Sequence, residues 1–110
     1  EPYRRQRQMC IRDSENLVYL ELLRRGYKVM IGRIGNTEVD FVAEKQGAYT
    51  YYQVTADMTA QETFEREMRP LAQIRDNYEK IILTADRLTV GNYNGIRVKN
   101  LTDWLLGKEN

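Results

Sequence analysis

The segment from residue 37 to residue 55 constrains the fold most, because it holds two strand patterns joined by a short turn. Residues 37–44 (T-E-V-D-F-V-A-E) alternate between apolar and polar side chains, which is typical of a half-buried strand. This alternation assigns one face of the strand to Val39, Phe41 and Ala43. Residues 48–56 (A-Y-T-Y-Y-Q-V-T-A) are rich in aromatic and β-branched residues and therefore predict the next strand.

The turn between these strands sets which residues face one another. If Gln46 and Gly47 form a two-residue turn, Asp40 lies directly opposite Gln53, with the two Cβ atoms within about 5.5 Å. Thr55 follows two residues after Gln53 and shares its face of the sheet. The hairpin thus predicts a polar corner formed by Asp40, Gln53 and Thr55.

A helix is predicted before the hairpin. Residues 14–25 (S-E-N-L-V-Y-L-E-L-L-R-R) are strong helix formers, with Ser14 as a predicted N-cap and Gly26 as a stop. At about 100° per residue, Glu15 falls on the stripe that faces the packing side of the helix. Two interpretations of Glu15 remain open: an acid directed at the polar corner, or an acid in the capping region with its carboxylate in solvent.

The order and spacing of these residues resemble the PD-(D/E)xK nuclease superfamily, which includes archaeal Holliday junction resolvases and many restriction enzymes. Glu15, Gly26, E-V-D-F at 38–41 and Y-Y-Q-V-T at 51–55 carry this resemblance. Residues 15–106 more closely resemble the nuclease-like domain of unknown function at the C-terminus of prokaryotic AAA-type ATPases. The strings that carry the second resemblance are E-N-L-V-Y-L-E-L-L-R-R-G-Y, E-V-D-F-V-A, Y-Q-V, T-F-E-R-E at 63–67 and I-R-D-N-Y at 74–78.

The resemblance implies an α/β fold over residues 14–110, with a restriction-endonuclease-like mixed β-sheet flanked by helices and an α-β-β-β-α-β core. It also implies a site. The acid of the superfamily's first helix falls at Glu15, and its metal-binding aspartate falls at Asp40. The remaining acid and the lysine fall at Gln53 and Thr55, so both of those positions depart from the superfamily pattern.

These two departures predict a vestigial catalytic site at Glu15, Asp40 and Gln53. Mg²⁺ accepts an amide oxygen, so Asp40 and Gln53 are weak metal candidates, but the amide lacks the charge of the carboxylate it replaces. Thr55 donates one hydrogen bond and cannot supply the cation that activates water or offsets phosphate charge. The expected function is therefore that of an accessory or interaction domain. A Mg²⁺-dependent DNA endonuclease and a protein-binding domain unrelated to any ATPase are the alternatives.

Charge and the lack of a nucleotide motif shape the expected partners. The chain has no G-x-x-x-x-G-K-[ST] string, so ATP is expected only in a missing upstream module. Residues 14–110 carry 13 basic and 14 acidic residues, a net charge of −1, and their scattered arrangement predicts weak DNA binding. We expect the partner to be the upstream ATPase module of the parent chain, or a second copy of this domain.

Composition excludes several classes of chemistry. The chain has no histidine and one cysteine, Cys10. It therefore lacks the histidine and cysteine side chains that a zinc site or histidine-based catalysis requires. No apolar run approaches the roughly 20 residues of a bilayer span, and no signal-peptide pattern is visible. These features predict a cytoplasmic protein that does not act at a membrane.

The ends of the chain are interpreted separately. Residues 1–13 hold four arginines and little apolar periodicity, which suits either a basic arm for phosphates or a disordered or non-native leader. After the hairpin, a capping box at residues 59–62 predicts a helix that Pro70 should kink or split. The charged run at residues 62–69 is interpreted as a solvated face with i,i+4 ion pairs, or alternatively as a substrate groove.

Further strands and a closing helix complete the predicted layer pair. Residues 27–34 alternate and meet residue 37 through a predicted tight turn at Gly35 and Asn36. Short strands are predicted at 81–84 and 96–99, with the turn N-Y-N-G between them. A helix at 101–106 follows, and Trp104 is expected to fill the core.

Overall fold

The computed structural model describes residues 2–34 and 37–108, and the side chains of residues 13–32 and 38–108. The predicted α-β-β-β-α-β core is confirmed by the order of the elements. They run α1 (Pro2–Arg24), β1 (Lys28–Ile34), β2 (Thr37–Lys45), β3 (Ala48–Thr55), α2 (Gln61–Ala72), β4 (Glu79–Thr84), β5 (Gly91–Tyr93), β6 (Ile96–Asn100) and α3 (Leu101–Leu105).

The six strands form one mixed sheet in the order β1-β2-β3-β4-β6-β5. Strands β1, β2 and β3 are antiparallel, whereas β3, β4 and β6 run parallel and β5 closes the far edge in the antiparallel sense. Helix α2 lies in the crossover from β3 to β4, as a parallel pair requires. The predicted mixed sheet flanked by helices is therefore present.

Two apolar clusters cover the two faces of the sheet. Helices α1 and α3 pack on one face through Val18, Leu22 and Trp104. Helix α2 packs on the other face, where Leu71 is fully buried. Strand β4 contributes buried side chains to both clusters, as expected of a central strand covered on both sides.

The β2–β3 hairpin has the predicted register. Its pairs run from Phe41↔Tyr52 to Lys45↔Ala48. Gln46 and Gly47 have φ angles of 54° and 83°, the left-handed conformations of the turn that matches strand twist in a two-residue hairpin. The other predicted tight turn, at Gly35 and Asn36, lies outside the described residues.

A β-bulge interrupts β2 at Asp40. The register shifts between two pairs, Met30↔Val42 and Gly32↔Val39. Two residues of β2, Asp40 and Phe41, therefore oppose the single Ile31 of β1. The bulge resets the alternation, so Val39 packs on the face of α2 while Phe41 packs on the face of α1. The prediction that Val39, Phe41 and Ala43 share one face was wrong for this reason.

Helix α1 begins at Pro2, so the prediction that Ser14 caps a helix was wrong. Residues 3–13 contain good helix formers and neither proline nor glycine, and proline is well tolerated at the first helical position. The predicted stop is confirmed, because Gly26 has a φ of 91° and follows the last turn. The amides of Gly26 and Tyr27 donate to the carbonyls of Leu23 and Leu22, which satisfies the helix end.

Helix α2 differs from its prediction at both ends. The N-cap is Ala60, whose methyl side chain cannot accept a capping hydrogen bond. The hydroxyl of Thr59, the predicted cap, donates to Asp57 at 2.6 Å instead. The predicted capping box is therefore absent. Pro70 does not split the helix, which continues to Ala72, since a proline this close to the C-terminal end removes little of the hydrogen-bond ladder.

Asp86 ties together the loops that follow β3 and β4. Its carboxylate accepts hydrogen bonds from the amides of Met58 and Thr89 at 2.8 and 2.9 Å, and from the hydroxyls of Thr84 and Thr89 at 2.8 and 2.7 Å. Although burial opposes ionisation, these bonds lower the pKa of Asp86 from 3.8 to about 2. The carboxylate therefore stabilises the fold more strongly when it is ionised.

This network predicts a pH-dependent loss of stability. Because the folded pKa lies below the unfolded one, the contribution of Asp86 is present above pH 3.8 and is lost as the pH falls towards about 2. Replacing Asp86→Ala should lower the unfolding free energy at pH 7 by about 2–3 kcal/mol, measured by urea denaturation. The matched control is Glu62→Ala, which removes an exposed acid in the first turn of α2. If wild type and Asp86→Ala lose stability in parallel between pH 5 and pH 2, the assignment is wrong.

Candidate functional site

A cleft of about 700 Å³ opens beside the bulge of β2. Residues of α1, β1, β2, β3 and α2 line it, so both helices that cover the sheet contribute side chains. Its charged and amide side chains are Glu15, Asn16, Glu38, Asp40, Gln53, Arg66 and Glu67. The cleft thus brings together the three predicted site residues Glu15, Asp40 and Gln53, while Thr55 is not among the residues that line it.

The side chains of Asp40 and Gln53 each accept a hydrogen bond from the backbone of the opposite strand rather than facing a common ligand. The Asp40 amide donates to Gln53 Oε1 at 2.7 Å, and the Val54 amide donates to Asp40 Oδ2 at 2.9 Å. The regular pairing of β2 and β3 ends one residue earlier, at Phe41↔Tyr52. These two side chains therefore satisfy backbone amides beside the bulge, and Gln53 is only 7% exposed.

Two carboxyl groups of the cleft, those of Asp40 and Glu67, resist ionisation. Burial raises the pKa of Asp40, and the hydrogen bond from the Val54 amide offsets part of that rise. Burial also raises the pKa of Glu67, followed by the charge of Asp40 and, more weakly, that of Glu15. Arg66 opposes this rise from an N···O distance of 4.0 Å. The cleft is consequently a site where negative charges are crowded and poorly solvated.

Glu67 is the site residue that the sequence interpretation missed. The charged run was expected to be a solvated face with i,i+4 pairs, yet Glu67 lines the cleft and its side chain is 16% exposed. Arg66 lies next to Glu67 rather than pairing with Glu62. The spacing held a signal, because Phe64, Glu67, Met68 and Leu71 follow the i, i+3, i+4, i+7 pattern of the buried stripe.

The magnesium site implied by the resemblance does not fit the donors of this cleft. Gln53 Oε1 and one oxygen of Asp40 are directed at backbone amides. Among the described side chains, those of residues 13–32 and 38–108, no three Asp, Glu, Cys or His side chains are grouped so as to hold a metal ion. Mg²⁺ requires several oxygen ligands in near-octahedral geometry, so we derive no metal-dependent step from this arrangement.

Comparison with known proteins finds similarity to part of a longer protein. No family model matches the sequence. A protein of Haemophilus influenzae, described as uncharacterized, is 40% identical over 92 residues, which are 84% of this chain and 22% of that protein. The chain thus spans about a fifth of the length of this relative. In the part of the chain that the structure describes, no helix is long and apolar enough to cross a bilayer.

Proposed function

We propose that this chain is a nuclease-like accessory domain of a longer, cytoplasmic AAA-type ATP-binding protein, and that its cleft is catalytically degenerate. The observation that carries the proposal is the mutual engagement of Asp40 and Gln53 with backbone amides. A metal-binding corner needs its oxygens directed at a common point, whereas these oxygens hold two strands together. The corner therefore serves the sheet rather than a reaction.

The charge of the cleft supports the same proposal. Among the side chains that the structure describes, four carboxyl groups from three elements and one cation, Arg66, line it. Phosphoryl chemistry needs cations at the points where negative charge develops. With Thr55 in place of lysine and outside the lining, the cleft offers a phosphate diester more repulsion than stabilisation.

The proposal that this domain acts beside other modules of a longer protein is supported by the length of its relative. Since a chain 40% identical to this one recurs within a protein several times longer, the domain is expected to act beside other modules. An upstream ATPase module would hold ATP, and docking on that module or on a second copy would be the role of this domain. DNA binding is expected to be weak and non-specific.

A second function, Mg²⁺-dependent nucleic-acid cleavage, is favoured by one observation. Glu67 places a carboxyl group in the cleft with Glu15 and Asp40, and so supplies a charge that Gln53 lacks. Such an enzyme would need the side chains to rearrange around the ion, because Asp40 already accepts the Val54 amide.

A cleavage assay separates the two functions. The purified chain should not cut single-stranded, duplex or branched DNA with Mg²⁺ or Mn²⁺ above the level of an Asp40→Ala variant, because Gln53 Oε1 and Asp40 Oδ2 accept backbone amides and position 55 holds threonine in place of lysine. Glu67→Gln tests the second function, and Glu62→Gln is its matched control on the exposed side of the same helix. Cleavage that both Asp40→Ala and Glu67→Gln abolish, and Glu62→Gln retains, would establish the nuclease instead.

A further inference from the structure

Helix α1 carries a second apolar face that points away from the sheet. Its inner face is buried, with Val18 and Leu22 both 0% exposed. Its outer face presents Leu17, Leu20 and Leu23, which are 50%, 58% and 44% exposed. Single exposed apolar residues are common on protein surfaces, but three leucines on successive turns of one helix form a continuous stripe. We call Leu17, Leu20 and Leu23 the outer leucine stripe.

Two opposite charges flank this stripe along the helix. At about 100° per residue, Asp13 and Arg24 lie within about 20° of one another around the axis, one at each end of the stripe. Asp13 is exposed, and the side chain of Arg24 is 71% exposed and is held by Glu21 at 2.6 Å. Along the helix, the outer face therefore presents Asp13, then the outer leucine stripe, and then Arg24.

We propose that the outer leucine stripe is the surface through which two copies of this chain associate, with their α1 helices antiparallel. In an antiparallel pair related by a two-fold axis, the register that packs Leu17 on Leu20 of the second copy also sets Asp13 opposite Arg24 of the second copy. The contact between Leu17 and Leu20 and the contact between Asp13 and Arg24 then each occur twice. A parallel pair would set Asp13 against Asp13 and Arg24 against Arg24, so the charge pattern selects the antiparallel arrangement.

The size of the stripe sets the expected strength of association. Three half-exposed leucines on each copy make a contact smaller than the 1,200 Å² or so of total area that a stable interface buries. We therefore expect a reversible dimer with a Kd of about 10–500 μM. This association rests on the self-docking alternative of the proposed function and names its surface. It does not depend on whether the cleft is catalytic, so a failed cleavage assay and a failed association test can be told apart.

Sedimentation equilibrium of the full chain over this concentration range tests the proposal. Leu20→Glu should weaken association at least tenfold, because it places two carboxylates in the seam. Leu88→Glu is the matched control, since Leu88 is 85% exposed and lies in the loop after β4. Thermal unfolding followed by circular dichroism verifies that each variant is folded. A chain that is monomeric throughout, or that responds equally to both substitutions, would overturn the proposal.

A charge exchange tests the register. Asp13→Arg alone and Arg24→Asp alone should each weaken association, and the double variant should restore it to within about threefold of wild type. The double variant still lacks the pair between Arg24 and Glu21, so its recovery cannot come from within one helix. Failure of the double variant to recover association would exclude the antiparallel register.

Discussion

Replacing Trp104→Ala is expected to lower the free energy of unfolding by about 3–5 kcal/mol. Trp104 is 1% exposed and anchors the short helix α3 to the core. Its ring lies 5.7 Å from that of Tyr52, and the Arg25 guanidinium lies 4.3 Å above its face. Because the other buried side chains of this cluster belong to α1, β2, β3 and β4 as well as to α3, they cannot collapse fully into the space that the indole leaves.

Urea denaturation measures this effect. Leu106→Ala is the control from the same end of the chain, and it should change stability by less than about 0.5 kcal/mol because Leu106 is 63% exposed. Arg25→Met separates the packing of Arg25 from its charge. It removes the cation above the ring, the 2.6 Å bond to the Trp104 carbonyl and the 2.7 Å ion pair with Glu21, and should cost about 1–2 kcal/mol. A loss below about 1 kcal/mol for Trp104→Ala would contradict this account of the core.

The sequence predicted the parts of the fold that local chemistry determines. Gln46 and Gly47 tolerate the left-handed conformations of a two-residue turn, so the register of β2 and β3 followed from counting. Gly26 ended α1 for a similar reason, because a glycine accepts the positive φ of a helix stop. The core position of Trp104 followed from the size and apolar character of its side chain.

The remaining features depend on contacts between distant elements. The bulge at Asp40 arises between β1 and β2, and the alternation within residues 37–44 carries no sign of it. The start of α1 was misplaced because a residue with good capping chemistry, Ser14, lies inside a longer run of helix formers. Residues 2–13 form the first part of this helix, while the origin of residues 1–13 stays a prediction.

In the cleft, too, local spacing predicted some features, whereas contacts between distant elements determined the others. Counting placed Asp40 beside Gln53, and helical spacing directed Glu15 to the same region. The orientation of the Gln53 side-chain amide could not be predicted from residue spacing. It depends on the backbone amide of Asp40, which lies beside the bulge and donates to Gln53 Oε1. Glu67 was missed because a charged residue within a charged run was assigned to solvent, although its spacing matched the buried stripe.

The double substitution Gln53→Glu with Thr55→Lys is expected to raise the affinity for Mg²⁺ or Mn²⁺ at least about tenfold. One oxygen of the new carboxylate keeps the hydrogen bond from the Asp40 amide. The other replaces the amide nitrogen and adds a charged ligand beside Asp40 and Glu67. Without metal, this variant should be less stable than wild type by about 1–3 kcal/mol, because position 53 is only 7% exposed and a carboxylate there is poorly solvated.

Thermal unfolding with and without the metal measures both effects. A ligand that binds only the folded state raises its stability by about 2.7 kcal/mol at 100 times its Kd, so the variant should gain more from a millimolar metal concentration than wild type gains. Adding Asp40→Ala to the double variant should remove that gain, since Asp40 supplies the neighbouring charge. If wild type and the double variant respond alike, or if the gain survives Asp40→Ala, then the cleft lacks the geometry of a metal-binding corner, and Gln53 and Thr55 do not explain the proposed lack of catalysis.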